Sequence, residues 1–149
     1  MKKIISIILA GAMILSLAAC GTSSLETKRV TLVGTLDGAD VEYTIEGTGD
    51  VAKQIRQVMT TDISALDENT VRLRAAEVKL KYDIIAGLTY TYSISDGTLT
   101  ENIEMDVSSA ANVQAMASQG LIQSEAGAEA VSIQKTIDNL KAQGFTEKY

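Results

Sequence analysis

Two Asp-Gly pairs, Asp37-Gly38 and Asp96-Gly97, each stand between runs in which apolar and polar residues alternate. A tight Asp-Gly loop suits the twist of an antiparallel strand pair, so this pattern specifies a β-hairpin more strongly than any other short signal. Around the first pair, Val30, Leu32, Gly34 and Leu36 alternate with Thr31, Val33 and Thr35. Val41, Tyr43 and Ile45 then alternate with Glu42, Thr44 and Glu46, with Asp37-Gly38-Ala39-Asp40 expected as the turn. Around the second pair, Leu88, Tyr90, Tyr92 and Ile94 share one face and Leu99, Ile103, Met105 and Val107 follow the turn. Core packing is the default role of tyrosines on inward strand or helix positions.

Gly47-Thr48-Gly49-Asp50 reads as a further turn. The stretch 51–63 fits two periods. Val51, Ile55, Met59 and Ile63 share a strand face with Lys53, Gln57 and Thr61, whereas Val51, Ile55, Val58 and Met59 suit a helix. A third strand is favoured, because Thr60-Thr61 and the β-branched ends fit a pleated surface. Further on, Val71, Ala75, Val78, Tyr82 and Ile85 recur at helical spacing, Leu73, Leu80 and Ile84 widen the apolar stripe, and Gly87 stands as the expected C-cap. Glu77 and Lys81 fall at i and i+4, the favourable order for a surface pair.

From Ser108 to Ala130 the chain is rich in Ala, Ser and Gln, with short helical spacing at Val113, Met116 and Ala117. A last helix is expected from Ser132, a good N-cap, through Ile133, Ile137 and Leu140 to Gly144, with Phe145 folding back. Strands and helices are segregated rather than alternating. The order predicts an α+β fold, an antiparallel sheet of four to five strands with helices packed on one face.

Composition removes several kinds of chemistry. With no His and one Cys in 149 residues, a Ser-His-Asp triad, a Cys-His dyad, a zinc-finger ligand set and an intrachain disulfide are all excluded. A formal charge of −6 argues against nucleic acid as a partner, since phosphates demand a basic surface.

The N-terminus carries a different kind of information. Lys2-Lys3 precede an apolar run from Ile4 to Ala19, the layout of an export signal: a positive segment, an apolar segment and small residues before a cut. The run is short for a membrane-spanning helix, which needs about 20 apolar residues. It ends in Leu17-Ala18-Ala19-Cys20, which resembles the lipobox of bacterial lipoproteins. That resemblance implies a diacylglyceryl group on the Cys20 sulfur and cleavage between Ala19 and Cys20, with Leu17, Ala18 and Ala19 recognised by the signal peptidase. The anchor is then a set of long acyl chains such as palmitate. Burying acyl chains is worth about 0.8 kcal/mol per CH₂, so two chains hold stably where one is marginal. The expected division is a signal peptide over 1–19, a lipidated Cys and polar tether over 20–28, and a single domain over 29–149. Loss of Lys2 and Lys3 would move the charge from −6 to −8.

With this leader, the two early strands, Lys81-Tyr82, Leu88-Thr89-Tyr90-Thr91-Tyr92 and the closing Leu140-Lys141-Ala142-Gln143-Gly144-Phe145-Thr146, the chain resembles the YehR-like bacterial lipoproteins. The resemblance covers nearly the whole chain. It implies a small lipid-anchored α+β domain and carries no active residue with it.

Candidates for chemistry are sparse. Asp37, Asp40 and Asp50 lie in expected turns; paired carboxylates can act as acid and base or bind calcium, yet Asp-Gly-Ala-Asp lacks the calcium-loop spacing, and turn geometry is their usual reason. Gly47-Thr48-Gly49 does not lead into a helix as a phosphate loop should. Ser23-Ser24 and Ser108-Ser109 have no base to activate them. The charged face from Asp67 to Lys81 reads as a solvated helix face. No catalytic, metal or cofactor-binding residue is expected. The expectation is a membrane-anchored, extracytoplasmic, non-enzymatic domain, on the outer face of the cytoplasmic membrane or in the periplasm, that binds a protein or small-molecule partner. The alternatives are an accessory envelope component without a ligand and a carboxylate-dependent enzyme.

Overall fold

The computed structural model describes residues 26–122 and 127–149. The proposed lipidation segment, with Leu17, Ala18, Ala19 and Cys20, lies outside the described residues. The first hairpin joins β1 (Thr27–Leu36) to β2 (Ala39–Thr48), and β3 (Val51–Asp62) continues the meander. The turn is confined to Asp37 and Gly38, both at positive φ (49° and 88°), so Ala39 and Asp40 belong to β2. Helix α1 (Glu68–Tyr82) follows, then the second hairpin, β4 (Leu88–Ser95) and β5 (Thr98–Asp106), around Asp96 (φ 51°) and Gly97 (φ 72°). Helix α2 (Ala110–Ser118), β6 (Val131–Ser132), α3 (Ile133–Ala142) and β7 (Thr146–Glu147) complete the order.

The sheet has more strands than the four to five expected. Five long strands run in the order β4-β5-β3-β2-β1, all pairs antiparallel; the two-residue β7 extends the β1 edge and the two-residue β6 pairs with the start of β3. The stretch 51–63 is strand, not helix, through Asp62. A register shift at Glu46/Gly47, opposite Lys53, changes the phase there. Ala52 is therefore buried, while Val51 is only half-buried and Lys53, expected on the inward face, is exposed.

Rows of residues cross the inward face. Val30, Ile45, Ile55, Met105 and Leu88 form one row, and Leu32, Tyr43, Gln57, Ile103 and Tyr90 the next. The helices cover this face: Val113 and Met116 of α2 and Ile133, Ile137 and Leu140 of α3 are buried in one core with the sheet residues. Ser132 caps α3, its Oγ accepting from the Lys135 N–H at 3.1 Å. After α3, Gly144 at φ 94° lets the Phe145 N–H reach the Leu140 carbonyl at 3.0 Å, a left-handed helix ending that turns Phe145 into the core. Phe145 packs edge-on to Tyr43 at 5.2 Å and flat against Gly34, where a Cβ would stand 2.8 Å from the ring.

Helix α1 departs from its expected orientation. Val71 and Ala75 are buried and Val78 and Tyr82 pack against the core, but Leu73, Leu80 and Ile84 are 68%, 71% and 84% exposed. At about 100° per residue Leu73 and Leu80 lie opposite the four core-facing residues, and Ile84 follows in the turn after the helix, so they form a second apolar line facing solvent instead of a wider core stripe. The helix ends at Tyr82 with Asp83 as its cap, short of Gly87. Glu77 pairs with Arg74 at 3.6 Å instead of with Lys81, and Arg72–Glu68 and Lys79–Asp83 complete a solvated ladder of ion pairs.

Candidate functional site

The middle of the sheet is where the inward face stops being apolar. β3 and β5 lie between β2, on which α3 packs, and β4, on which α1 packs. Their inward residues run Ile55, Gln57, Met59, Thr61 and Leu99, Glu101, Ile103, Met105. Gln57, Thr61 and Glu101 are each at most 3% exposed. Register places Glu101 opposite Met59, with Gln57 and Thr61 two residues to either side of Met59 along β3, so the three polar side chains lie along about 13 Å of one inward face.

Only part of this patch is satisfied within the protein. The Tyr90 hydroxyl donates to Glu101 Oε1 at 2.5 Å. Glu101 Oε2, both amide atoms of Gln57 and the Thr61 hydroxyl make no hydrogen bond with the described residues. Buried polar groups are almost always paired, because an unmade bond costs about 1–3 kcal/mol. Four such atoms lie on the inward side of β3 and β5, in the middle of the sheet.

Electrostatics follow from burial. Desolvation pushes the Glu101 carboxyl above the usual carboxylate range, against the opposing effect of the Tyr90 hydrogen bond. Burial, then the bond to Glu101, holds the Tyr90 hydroxyl well above its ordinary value, and burial followed by the charge of Glu101 raises Tyr82. Tyr82 meets Tyr90 edge-on at 5.6 Å, and Tyr92 flanks Tyr90 at 6.1 Å. Lys79 of α1 closes the roof, donating to Asp83 at 2.8 Å and to the Tyr90 carbonyl at 3.4 Å.

The outer face is different. A shallow groove of about 630 Å³ lies across β1, β2 and β3, floored by Val33 and Val58 and edged by Thr35, Asp40 and Glu42. Lys148 reaches Glu42 at 2.9 Å beside it. Ion pairs Arg29–Glu46 (3.2 Å) and Arg56–Glu104 (3.8 Å) continue the polar surface.

The carboxylates singled out in the sequence are not brought together. Asp37 forms the first turn, Asp40 lines the outer groove, and Asp50 lies past the far end of β2, a strand of ten residues and about 34 Å. Asp50 serves α3: it accepts from Ser132 Oγ at 2.6 Å and from the Gln134 N–H at 2.7 Å. Gly47, expected in a turn, lies in β2 at the register shift, and Gly49 lies in the β2–β3 turn; a Cβ at Gly47 would fall 2.0 Å from the Val51 carbonyl oxygen. Ser109 caps α2 and Ser108 bonds Asp106. Among the described residues no group of three His, Cys, Asp or Glu side chains is placed to hold a metal. No described helix is long and apolar enough to cross a membrane.

Gln57 and Thr61 are expected on the inward face of β3 from its alternation but with no role, and Glu101 carries no local motif that singles it out. The available signal was a polar residue at an inward position of a strand, between Leu99 and Ile103.

No curated protein matches the chain. The fold is similar to the NMR structure of the Escherichia coli YehR protein, with a TM-score of 0.67 at 19% identity over 82% of this chain and 91% of that one. It is also similar to the NMR structure of a protein from Streptococcus pneumoniae TIGR4, with a TM-score of 0.50 at 16% identity over 89% and 92% of the two chains. Residues 26–146 match the family model described as a protein of unknown function, DUF1307, so the chain belongs to that family and carries a YehR-like domain.

Proposed function

We propose that this protein is an extracytoplasmic lipoprotein, held to the membrane by a diacylglyceryl group on Cys20, whose α+β domain is a binding module rather than an enzyme. The observation that carries the anchor is Leu17-Ala18-Ala19-Cys20, placed directly after a basic start and an apolar run and holding the only Cys of the chain. A thiolate is the one strong nucleophile this segment offers, so the lipid transfer depends on that residue. The tether that follows Cys20 leads into β1, which begins at Thr27, so the last two residues of the expected 20–28 tether, Thr27 and Lys28, are strand.

The binding role is supported by the unsatisfied patch at Gln57, Thr61 and Glu101 and by the open outer groove. The unpaired atoms would take hydrogen bonds from a small polar guest, and the groove offers a face to a protein partner. A purely accessory domain would have no reason to retain four unpaired polar atoms in its core.

Metabolic labelling with a fatty acid tests the anchor. Cys20→Ser is expected to abolish labelling and leave a larger, uncut precursor; normal labelling and maturation of this variant would overturn the lipoprotein reading. For the domain, crosslinking in intact cells should capture a partner whose recovery falls in Glu42→Ala and Asp40→Ala variants. Recovery unchanged by both would remove the outer groove from the reading.

A further inference from the structure

The exposed apolar line on α1 lies at the end of the molecule from which the tether leaves. Thr27 pairs with Thr48, and Thr48 with Val51, placing the start of β1 at one end of the sheet. The start of β4 is at the same end, since Leu88 pairs with Met105 and Met105 with Ile55. The C-terminus of α1 runs into β4 there: the Leu88 N–H reaches the Ile85 carbonyl at 3.2 Å. Leu80 and Ile84 therefore protrude at the tether end, beside a small groove of about 220 Å³ walled by Tyr82, Ile85 and Leu121.

We propose that this tip is a membrane-contact surface: Leu80 and Ile84 enter the headgroup region of the bilayer to which Cys20 is anchored. This proposal rests on the lipoprotein reading above. Distance supports it. From β1 to β4 the sheet is four strand spacings wide, about 19 Å, and the seven steps from Cys20 to Thr27 reach at most about 25 Å. A lipidated Cys20 thus holds the whole end of the sheet within reach of the headgroups. Chemistry supports it as well. An apolar side chain beside a long basic one suits a surface-lying segment, and Lys81 follows Leu80, while Lys79 is held by Asp83 and the Tyr90 carbonyl. An acidic domain would be repelled from anionic lipid if it were free. The tether changes this, because it makes the contact intramolecular and a weak apolar insertion suffices.

A chain without Trp allows a direct test. Ile84→Trp and, as a control at the opposite end of the sheet, Asp96→Trp are introduced separately into the full lipidated protein. Each is reconstituted in vesicles of phosphatidylethanolamine and phosphatidylglycerol. Tryptophan at 84 should show blue-shifted emission and quenching by brominated acyl chains, while tryptophan at 96 should show neither; adding Leu80→Glu should reduce the quenching at 84 to that of the control. Equal quenching at both positions, or none at 84 while the protein still floats with the vesicles, overturns the membrane contact and leaves the anchor intact. A blue shift at 84 that needs no lipid and rises with protein concentration assigns the tip to a second copy of the chain and overturns the proposal. Protein that lacks acyl chains at Cys20 overturns the parent reading and this one together.

Discussion

Helices α1 and α3 lie on the same sheet and use their apolar residues in opposite ways. α3 is one-sided: Ile133, Thr136, Ile137 and Leu140 are buried while Gln134, Lys135, Asp138 and Lys141 face water. α1 is apolar on both sides, with Val71 and Ala75 buried and Leu73 and Leu80 exposed. The difference follows from where each helix rests. α3 packs on β2 within the sheet and receives Phe145 as a closing side chain, whereas α1 packs on β4 at the sheet edge and leaves Leu73 and Leu80 uncovered by the described residues. One helix is explained by the core alone; the other carries apolar surface that the fold does not use.

The largest expected effect separates the two helices directly. Ile137→Asp should cost about 3 kcal/mol or more by burying an unpaired charge, while Leu80→Asp should stay within about 0.5 kcal/mol, both read from urea unfolding. Equal losses would erase the contrast. Gly34→Ala should cost about 1–3 kcal/mol because its methyl would meet the Phe145 ring, and part of that loss should be recovered when Phe145 is shortened to Leu. The N-terminal acids sharpen the comparison further. Asp67 caps only its own helix, accepting from the Thr70 N–H at 2.8 Å, so Asp67→Ala should cost about 1 kcal/mol. Asp50 also binds α3 to the β2–β3 turn, and Asp50→Ala should cost about 1–2 kcal/mol and raise hydrogen exchange in α3 more than in α1.

The smallest and most specific effect concerns pH. The folded value of Glu101 lies above the ordinary 4.5. Below that pH both folded and unfolded chains hold the proton, and nothing is lost. As pH rises beyond it the unfolded chain releases its proton first, so stability falls until the folded value is passed and then levels off. Glu101→Gln should remove that fall, which unfolding midpoints measured from pH 4.5 to 8 would reveal; an unchanged slope would mean that the carboxyl is not held protonated by its burial.

Much of the architecture was legible because its signals are local. Asp37-Gly38 and Asp96-Gly97 placed both hairpins, and Ser132 and Gly144 bounded α3 within a residue or two. The two-residue strands β6 and β7 were not legible, since their pairing depends on where α3 brings the chain back. The side taken by Leu73 and Leu80 was also hidden. Helical period shows that apolar residues recur, but two opposed lines spaced by half a turn look like one broad stripe. Lys53 was misplaced for a related reason: a single bulge reverses the alternation that strand reading relies on. In the candidate site, Gln57 and Glu101 have no local signature of function. Their meaning comes from register across β3 and β5, which brings residues 44 positions apart onto one patch.

The bond between Ser132 and Asp50 joins residues 82 positions apart. It has a consequence for time as well as for stability. The meander β1–β2–β3 and the hairpin β4–β5 close short loops and can assemble while the rest of the chain is still arriving. Long-range contacts of this kind pay their loop-closure entropy late and slow folding. The apolar face over β2 therefore stays uncovered until the last quarter of the chain is available, and α3 then docks onto a turn that is already formed. Until Asp50 is engaged, the newly made sheet is at its most prone to aggregate.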